Sequence, residues 1–171
     1  FVGRMTERKG LSLFIRECFS NIIAASEDNI GLVVVGHNPS DSLNQRGEET
    51  AVLAAASDLE LQDRIVFLGK LEDEALWATY HLASVNVLPL RPVDGDVGGF
   101  GMVVIEAAAC GTPTIAFDVG GVGDAISAHN GHLVEADDYP MFTQRTLEVL
   151  DTELPDSESC RAHAEQFTWP R

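Results

Sequence analysis

The chain has 171 residues, 45% of them hydrophobic, so it can bury one substantial core and falls in the size range of a single domain. Its formal net charge of -16, from 27 acidic and 11 basic residues, argues against nucleic acid or an anionic membrane as the main partner. No apolar run approaches the roughly 20 residues of a membrane helix, and no signal-peptide pattern opens the chain, so we expect a cytoplasmic location.

Apolar, β-branched runs alternate along the chain with stretches whose apolar residues recur at helical spacing. The predicted strands are residues 30–36, 64–69, 84–90, 112–117 and 131–134. The predicted helices are residues 9–26, 48–61, 72–83, 102–111 and 139–151, followed by a short helix around 160–167. This alternation predicts an α/β fold, a doubly wound parallel sheet of about five or six strands with helices on both faces.

The start of the chain looks like the end of a buried strand. The first residue is Phe1 rather than Met, and the sequence FVGR runs from apolar residues into a loop. We therefore expect the chain to be a fragment of a longer protein, with this segment as the stub of a sixth strand.

The cysteines and histidines show no pattern typical of a metal site. Cys18, Cys110 and Cys160 are widely spaced, and the five histidines form no pair at metal-ligand spacing. We therefore expect reduced, structural thiols and a site that requires no metal. His37, directly after a predicted strand, is the one histidine that we expect near a ligand pocket.

The loops that follow the predicted strands are where function is expected. In open α/β sheets, ligands bind at the carboxyl ends of the strands. These loops begin at Gly3, Gly36, Gly69, Pro89 and Asp118.

Two cations, Arg4 and Lys9, flank the start of the first predicted helix. A helix N-terminus with added cations is a site for phosphate, whereas the other interpretation is a solvated basic pair on the surface. Because the chain has only 11 Lys and Arg residues, their position at a strand-to-helix junction favours the phosphate site.

A glycine-rich loop, PVDGDVGGFG, runs directly into an apolar helix. Gly98, Gly99 and Gly101 would let the backbone approach a ligand closely, and amides near Gly101 and Met102 would point at an anion such as a diphosphate. The segment lacks the Gly-Lys-Ser/Thr ending of a P-loop and the spacing of the dinucleotide fingerprint, so its spacing alone does not identify the ligand.

Glu106 lies about one and a half turns into the helix that follows, between apolar Ile105 and Ala107. A lone carboxylate is costly to bury without partners. It either caps a neighbouring backbone loop or accepts hydrogen bonds from a ribose diol, and the second interpretation accounts for it better. Gly120 and Gly121, after a later strand, indicate by themselves only a tight loop.

These stretches occur in the order and spacing of a known family. From FVGRMTERKG through LVVVGHN, RIVFLGKL and GFGMVVIEAAACGTPTIAFDVGGVGDAI to GHLV and the closing FTW, the chain resembles the C-terminal domain of GT-B-type glycosyltransferases of family 4, or group 1. The resemblance covers nearly the whole chain. It implies that residues 1–171 form a Rossmann-like nucleotide-sugar-binding domain, the C-terminal half of a GT-B architecture.

The resemblance also implies an activity and a missing half. The complete enzyme would be a retaining, hexosyltransferase-like glycosyltransferase that transfers a sugar from a nucleoside diphosphate sugar, with no cofactor and no metal. The acceptor would be held by an N-terminal domain absent from this chain, so the isolated domain is expected to be inactive.

The resemblance assigns roles to individual residues. Arg4 and Lys9 match the basic pair that neutralises the departing diphosphate, which is electrostatic stabilisation of the transition state. Glu106 matches the second glutamate of a paired motif and would hold the ribose. The residues around Phe67 would line the base, and the turn before Met102 would face the phosphates and sugar. The expected donor contacts are Gly3, Phe67, Leu68, Gly69, Gly98, Gly99, Phe100, Gly101 and Met102.

The sequence departs from the family at the first glutamate of that motif. The family places it eight positions before Glu106, where this chain has Gly98. Asp94 and Asp96 lie nearby and could supply a carboxylate, although a shift of two residues changes the direction of a side chain. Gly98 therefore puts in doubt the usual recognition of the donor sugar and also catalysis, and both a variant specificity and a weakened enzyme stay open.

Three other interpretations stay open at this point. The first is a GT-B-like domain that binds a nucleotide sugar without transferring it, and the second is an epimerase of the same architecture. The third is an unrelated flavodoxin-like module, which the sequence disfavours because it lacks the clustered acidic pocket and lysine of a phospho-acceptor module.

Overall fold

The computed structural model describes residues 1–27, 29–37, 48–93 and 99–167, and within them strands and helices alternate. The strands are β1 (Leu32–Val35), β2 (Ile65–Gly69), β3 (Asn86–Leu88), β4 (Thr114–Phe117) and β5 (Gly131–Val134). The helices are α1 (Leu11–Phe14), α2 (Ser20–Ala25), α3 (Glu49–Asp58), α4 (Asp73–Leu82), α5 (Met102–Ala109), α6 (Tyr139–Thr152) and α7 (Ser157–Ala164). Shorter turns of 3-10 helix span Glu7–Lys9, Gln62–Arg64, Gly120–Asp124 and Glu165–Phe167. The predicted α/β class is confirmed, and no helix among the described residues is long and apolar enough to cross a membrane.

All of the described strand pairs are parallel, but they form two ladders rather than the single predicted sheet. One ladder pairs β1 with β2, and the other has the order β3-β4-β5. The segment before Gly3 adds to the free edge of β1, where the Val35 amide donates to the Phe1 carbonyl at 2.9 Å. This segment makes a single bridge, Val2 with Val35, and is too short to form a ladder that joins the two groups.

Strand β4 shows how the two faces of the sheet are covered. Its side chains point alternately to opposite faces, and all four of its residues are buried. Ile115 and Phe117 pack into one hydrophobic cluster with residues of α1, α3 and α6. Ala116 packs into a second cluster with residues of α5 and α7. Helices therefore cover both faces at β4, as predicted.

Strand β2 differs from its prediction as a buried strand. Val66, Phe67 and Leu68 are 52%, 40% and 42% exposed. The reason is its position, because β2 pairs with β1 along one edge and lies at the end of its ladder. The expectation of helices on both faces is therefore wrong at β2, and the side chains expected to line the base are accessible.

The first predicted helix, residues 9–26, is interrupted at its start and in its middle. Lys9 ends a 3-10 turn, and Gly10 then adopts a left-handed conformation with φ of 65° before α1 begins. A π-helical turn, Ile15–Phe19, joins α1 to α2. Gly10 packs so closely on the loop after β3 that a Cβ at this position would overlap the Pro89 carbonyl oxygen. At the start of the helix the cause is therefore a backbone contact with the loop after β3, which helical periodicity does not reveal.

The three cysteines agree with their prediction as structural thiols. Cys18, Cys110 and Cys160 are free and buried. Burial raises the pKa of the Cys18 and Cys160 thiols to about 11, so both remain protonated near neutral pH.

Two glycines with the same backbone conformation provide a matched test of the contact at Gly10. Gly10 and Gly69 both have φ of 65°, but no atom lies within 4 Å of a Cβ placed on Gly69. We expect Gly69→Ala to cost about 1 kcal/mol of unfolding free energy, for the left-handed conformation alone. Gly10→Ala should cost on the order of 3 kcal/mol, because the overlap with Pro89 is added. Urea unfolding of both variants measures the difference, and equal losses would contradict the proposed contact.

Candidate functional site

The loops at the carboxyl ends of the strands meet through close contacts between glycine backbones. Gly36 packs directly on Gly3, since a Cβ on Gly36 would overlap the Gly3 carbonyl oxygen. The Gly36 amide donates to the Gly69 carbonyl at 2.7 Å, which brings in the loop after β2. Together with the contact of Gly10 on Pro89, these interactions bring four of the five predicted loops to one edge of the domain.

Lys9 lies at this edge, where the phosphate interpretation requires it. A Cβ on Gly3 would lie 3.3 Å from Lys9 Cε and 3.5 Å from its Nζ, so the ammonium group sits over the end of the first strand segment. Arg4 is exposed in the loop directly after Gly3. The Met5 amide donates to the His37 carbonyl at 3.1 Å, so the exposed His37 borders the same loop.

The glycine-rich turn begins helix α5, as the sequence predicts. Gly101 has φ of 82° and precedes Met102, the first residue of the helix. The Val104 amide donates to the Gly101 carbonyl at 2.8 Å, which leaves the amides of Met102 and Val103 as the first-turn donors. These amides and the positive end of the helix dipole form an anion-binding geometry.

The turn Gly120–Asp124 packs against the start of α5, a role that its sequence alone did not indicate. A Cβ on Gly101 would lie 3.2 Å from Val122 Cγ2, and one on Gly121 would lie 3.4 Å from the Phe100 Cα. Val122 is fully buried. The two glycine-containing turns therefore support each other at the same edge of the sheet.

Glu106 is held by a side chain that the sequence analysis did not single out. The buried Tyr80, on α4, donates its phenol hydrogen to Glu106 Oε2 at 3.3 Å. Burial raises the pKa of Tyr80 well above its ordinary value, and the nearby Glu106 charge raises it further, so the phenol remains a donor. Tyr80 was missed because it lies on the apolar face of a predicted helix, where an aromatic residue is ordinarily part of the core.

The segment predicted to line the base lies at the accessible end of β2. Phe67 and Leu68 are successive strand residues, so their side chains point to opposite faces and only one of them can contact a given base. A Cβ placed on Gly69 would have no atom within 4 Å, so this side of its backbone is approachable.

A cavity of about 590 Å³ lies away from this edge, near the amino ends of β1 and β3. Its lining includes Phe1, residues 29–33 and residues 82–87. Leu68 is part of this lining, whereas Lys9, Gly101 and Glu106 are not. The predicted site is therefore an edge formed by loops, and among the described residues the cavity adjoins it only through Leu68 and Tyr80.

Part of the predicted site falls outside the described residues. Gly98, Asp94 and Asp96 belong to residues 94–98, which the structure does not describe. In the described part of the chain, no group of three or more His, Cys, Asp and Glu side chains is placed to hold a metal ion.

The parallel sheet and its edge of glycine turns define a class, the Rossmann-like domain of GT-B glycosyltransferases. Sucrose-phosphate synthase from Thermosynechococcus elongatus superposes with a TM-score of 0.77 and 28% identity, over 96% of this chain and 40% of that one. Anabaena HepE in complex with UDP has a TM-score of 0.76 over 97% of this chain and 44% of its own, and at 20% identity it shows the fold alone.

The sequence identifies the family. Residues 1–152 match the family described as glycosyl transferases group 1, and the chain belongs to this family. This membership excludes the unrelated flavodoxin-like module.

Two named relatives are similar over almost the whole chain. A D-inositol 3-phosphate glycosyltransferase of Acidothermus cellulolyticus is 32% identical over 175 residues, covering 99% of this chain and 37% of the relative. A GDP-mannose-dependent monoacylated alpha-(1-6)-phosphatidylinositol monomannoside mannosyltransferase of Corynebacterium glutamicum is 31% identical over 173 residues, covering 98% and 42%. The chain thus spans 37% and 42% of the length of these two relatives.

The hydrogen bond between Tyr80 and Glu106 can be tested through stability. We expect Tyr80→Phe to lower the unfolding free energy by about 1 kcal/mol, because a half-buried carboxylate loses a donor. The loss should largely disappear in a Glu106→Ala background, which has no side-chain acceptor, if the two side chains are coupled. Tyr139→Phe is the matched control, since the Tyr139 phenol donates to Asp137 Oδ1 over the same 3.3 Å but at an exposed site. If Tyr139→Phe lowers the free energy of unfolding as much as Tyr80→Phe does, burial does not strengthen the contribution of the Tyr80 hydrogen bond, and the prediction is wrong.

Proposed function

We propose that this chain is the donor-binding domain of a glycosyltransferase that transfers a sugar from a nucleoside diphosphate sugar. The observation that carries the proposal is that the Lys9 ammonium and the amino end of α5 both lie at the carboxyl edge of the sheet. The names of relatives support it, because the Corynebacterium glutamicum relative is GDP-mannose-dependent and Anabaena HepE has been solved with UDP.

The diphosphate binds where positive charge is concentrated. A net charge of -16 repels an anionic donor at long range, so binding depends on local positive groups that offset the repulsion. Lys9, Arg4 and the first-turn amides of α5 supply these groups. As the bond to the sugar breaks, charge develops on the departing diphosphate, and the same groups stabilise it.

The nucleoside lies beside the diphosphate. Glu106 Oε2 accepts from the Tyr80 phenol, and we assign Oε1 to the ribose hydroxyls. The base binds at the end of β2, against the side chain of Phe67 or Leu68 and the backbone of Gly69, while Gly3 permits the close approach of Lys9.

The acceptor is held by an N-terminal domain, and transfer takes place with retention of the anomeric configuration. Both statements rest on the resemblance to the family, as does the expectation that the isolated domain is inactive. A second candidate function is binding of a nucleotide sugar without transfer. Gly98 favours it, because a glycine has no carboxylate to hold the donor sugar.

Binding of nucleoside diphosphates tests the assigned roles directly. We expect the chain to bind UDP or GDP, and Arg4→Ala, Lys9→Ala and Glu106→Ala each to weaken binding by about 1–3 kcal/mol. Glu106→Ala should lose less affinity for the 2′-deoxy diphosphate, because one of its hydrogen-bond partners is then already missing. Isothermal titration calorimetry measures both effects.

Arg64→Ala is the control for charge. Arg64 lies just before β2, at the opposite end of the strand from the proposed site, and its side chain contacts Asn29 and the Ile30 carbonyl. Its removal changes the net charge by the same amount as Lys9→Ala. If the Lys9→Ala and Arg4→Ala variants bind UDP or GDP no more weakly than the Arg64→Ala variant does, the assignment of Lys9 and Arg4 to the phosphates is wrong.

The proposed site works without a metal ion, because its own cations and helix amides face the diphosphate. We expect the affinity for UDP or GDP to be the same in excess chelator as in excess Mg²⁺. Calorimetric titrations under the two conditions compare the dissociation constants. A strict requirement for a divalent cation would refute this part of the proposal.

A further inference from the structure

The last described segment of the chain contacts the glycine-rich turn, although it lies beyond the residues that match the family. The family match ends at residue 152, before α7 and the turn Glu165–Phe167. The Phe167 ring packs on the Phe100 ring with centroids 5.5 Å apart, and on the His163 ring at 5.3 Å. Phe100 directly precedes Gly101, so this contact bears on the turn that begins α5.

His163 joins α7 to a second segment of the site. It is only 8% exposed, and its Nε2 lies 3.2 Å from the Ala125 carbonyl oxygen. A carbonyl oxygen can only accept, so Nε2 carries the hydrogen and donates it. In the neutral imidazole, Nδ1 then accepts from the Ser127 hydroxyl at 3.1 Å. One imidazole therefore fixes both Ala125 and Ser127, directly after the turn Gly120–Asp124.

These contacts hold the glycine-rich turn at two neighbouring residues. Val122 lies against Gly101, and the Phe167 ring packs on the Phe100 ring. His163 touches both supports, since it contacts Phe167 through its ring and the Val122 segment through its hydrogen bonds. A turn with glycines at positions 99 and 101 has a flexible backbone of its own, so its order depends on such external supports.

We propose that His163 and Phe167 are positioning residues, which fix the Gly99–Met102 backbone so that the first-turn amides of α5 face the donor diphosphate. The inference rests on the proposed function, and neither residue touches the donor. Amide groups that are already ordered before binding lose less entropy when the diphosphate binds. His163 and Phe167 therefore contribute to affinity without contacting the ligand.

A purely structural role for α7 would affect all ligands alike, whereas positioning of the amides affects only the phosphates. The informative quantity is the ratio of the dissociation constant of the nucleoside, uridine or guanosine, to that of its diphosphate. The nucleoside is measured by competition against the bound diphosphate. Phe167→Ala is the main variant, because Phe167 is 37% exposed and its truncation leaves the core intact. Gln166→Ala, an exposed neighbour in the same turn, is the matched control.

We expect Phe167→Ala to weaken UDP or GDP binding by about threefold to tenfold, with the affinity for the nucleoside unchanged and Gln166→Ala like wild type. His163→Leu should do the same. His163→Gln should recover part of the affinity, because its amide nitrogen can reach the position of Nε2 and donate to Ala125. If His163→Leu does not fold, Phe167→Ala still decides the matter.

The failure of this inference is distinguishable from failure of the proposed function. If wild type binds the diphosphate and Lys9→Ala weakens it, but Phe167→Ala leaves the ratio unchanged, the positioning role alone is overturned. If Phe167→Ala loses affinity for the nucleoside and for the diphosphate by the same factor, the positioning role is overturned as well. If wild type binds neither UDP nor GDP, the proposed function and the positioning role both fall.

Discussion

The site depends on backbone segments that approach each other too closely for any side chain to lie between them. Gly36 packs on Gly3, and Gly10 packs on Pro89, at positions where a Cβ would overlap a carbonyl oxygen. These contacts draw the loops of separate strands to one edge of the sheet. They also set the position of Lys9, because Gly10 directly follows Lys9 and ends the 3-10 turn Glu7–Lys9. The glycines thus determine where the positive charge of Lys9 lies.

Electrostatics then shows how so acidic a protein can offer the proposed site to an anion. The net charge of -16 is spread over the chain, whereas Lys9 and the amino end of α5 act at close range, where a local field exceeds a screened distant one. Glu106 lies on the same helix but farther along it, and Tyr80 supplies a donor to its carboxylate. The Glu106 carboxylate can therefore lie near the proposed anion site, because the neutral Tyr80 phenol offsets part of the free-energy cost of removing the carboxylate from water.

The sequence predicted the elements that local pattern determines and missed those that depend on distant contacts. The five strands, the start of α5 at Met102 and the position of Lys9 follow from periodicity, glycine placement and loop position. The exposure of β2 could not be predicted, since an edge strand and a central strand have similar apolar composition. Tyr80, His163 and Phe167 were missed because their partners are 26, 36 and 67 residues away, respectively Glu106, Ser127 and Phe100. No spacing rule connects residues so far apart.

Helix α5 links the two halves of the proposed site, because the first-turn amides and Glu106 belong to one short rigid element. The C-terminal segment contacts this helix near both ends. Phe167 packs on Phe100 before its start, and the Ser157 hydroxyl donates to the Gly111 carbonyl just beyond its end, at 2.8 Å. A shift of α5 along its axis would move the first-turn amides and the Glu106 carboxylate together. The segment beyond residue 152 thus contacts residues next to both ends of α5, and we expect it to set the distances from the first-turn amides and from Glu106 to the strand ends.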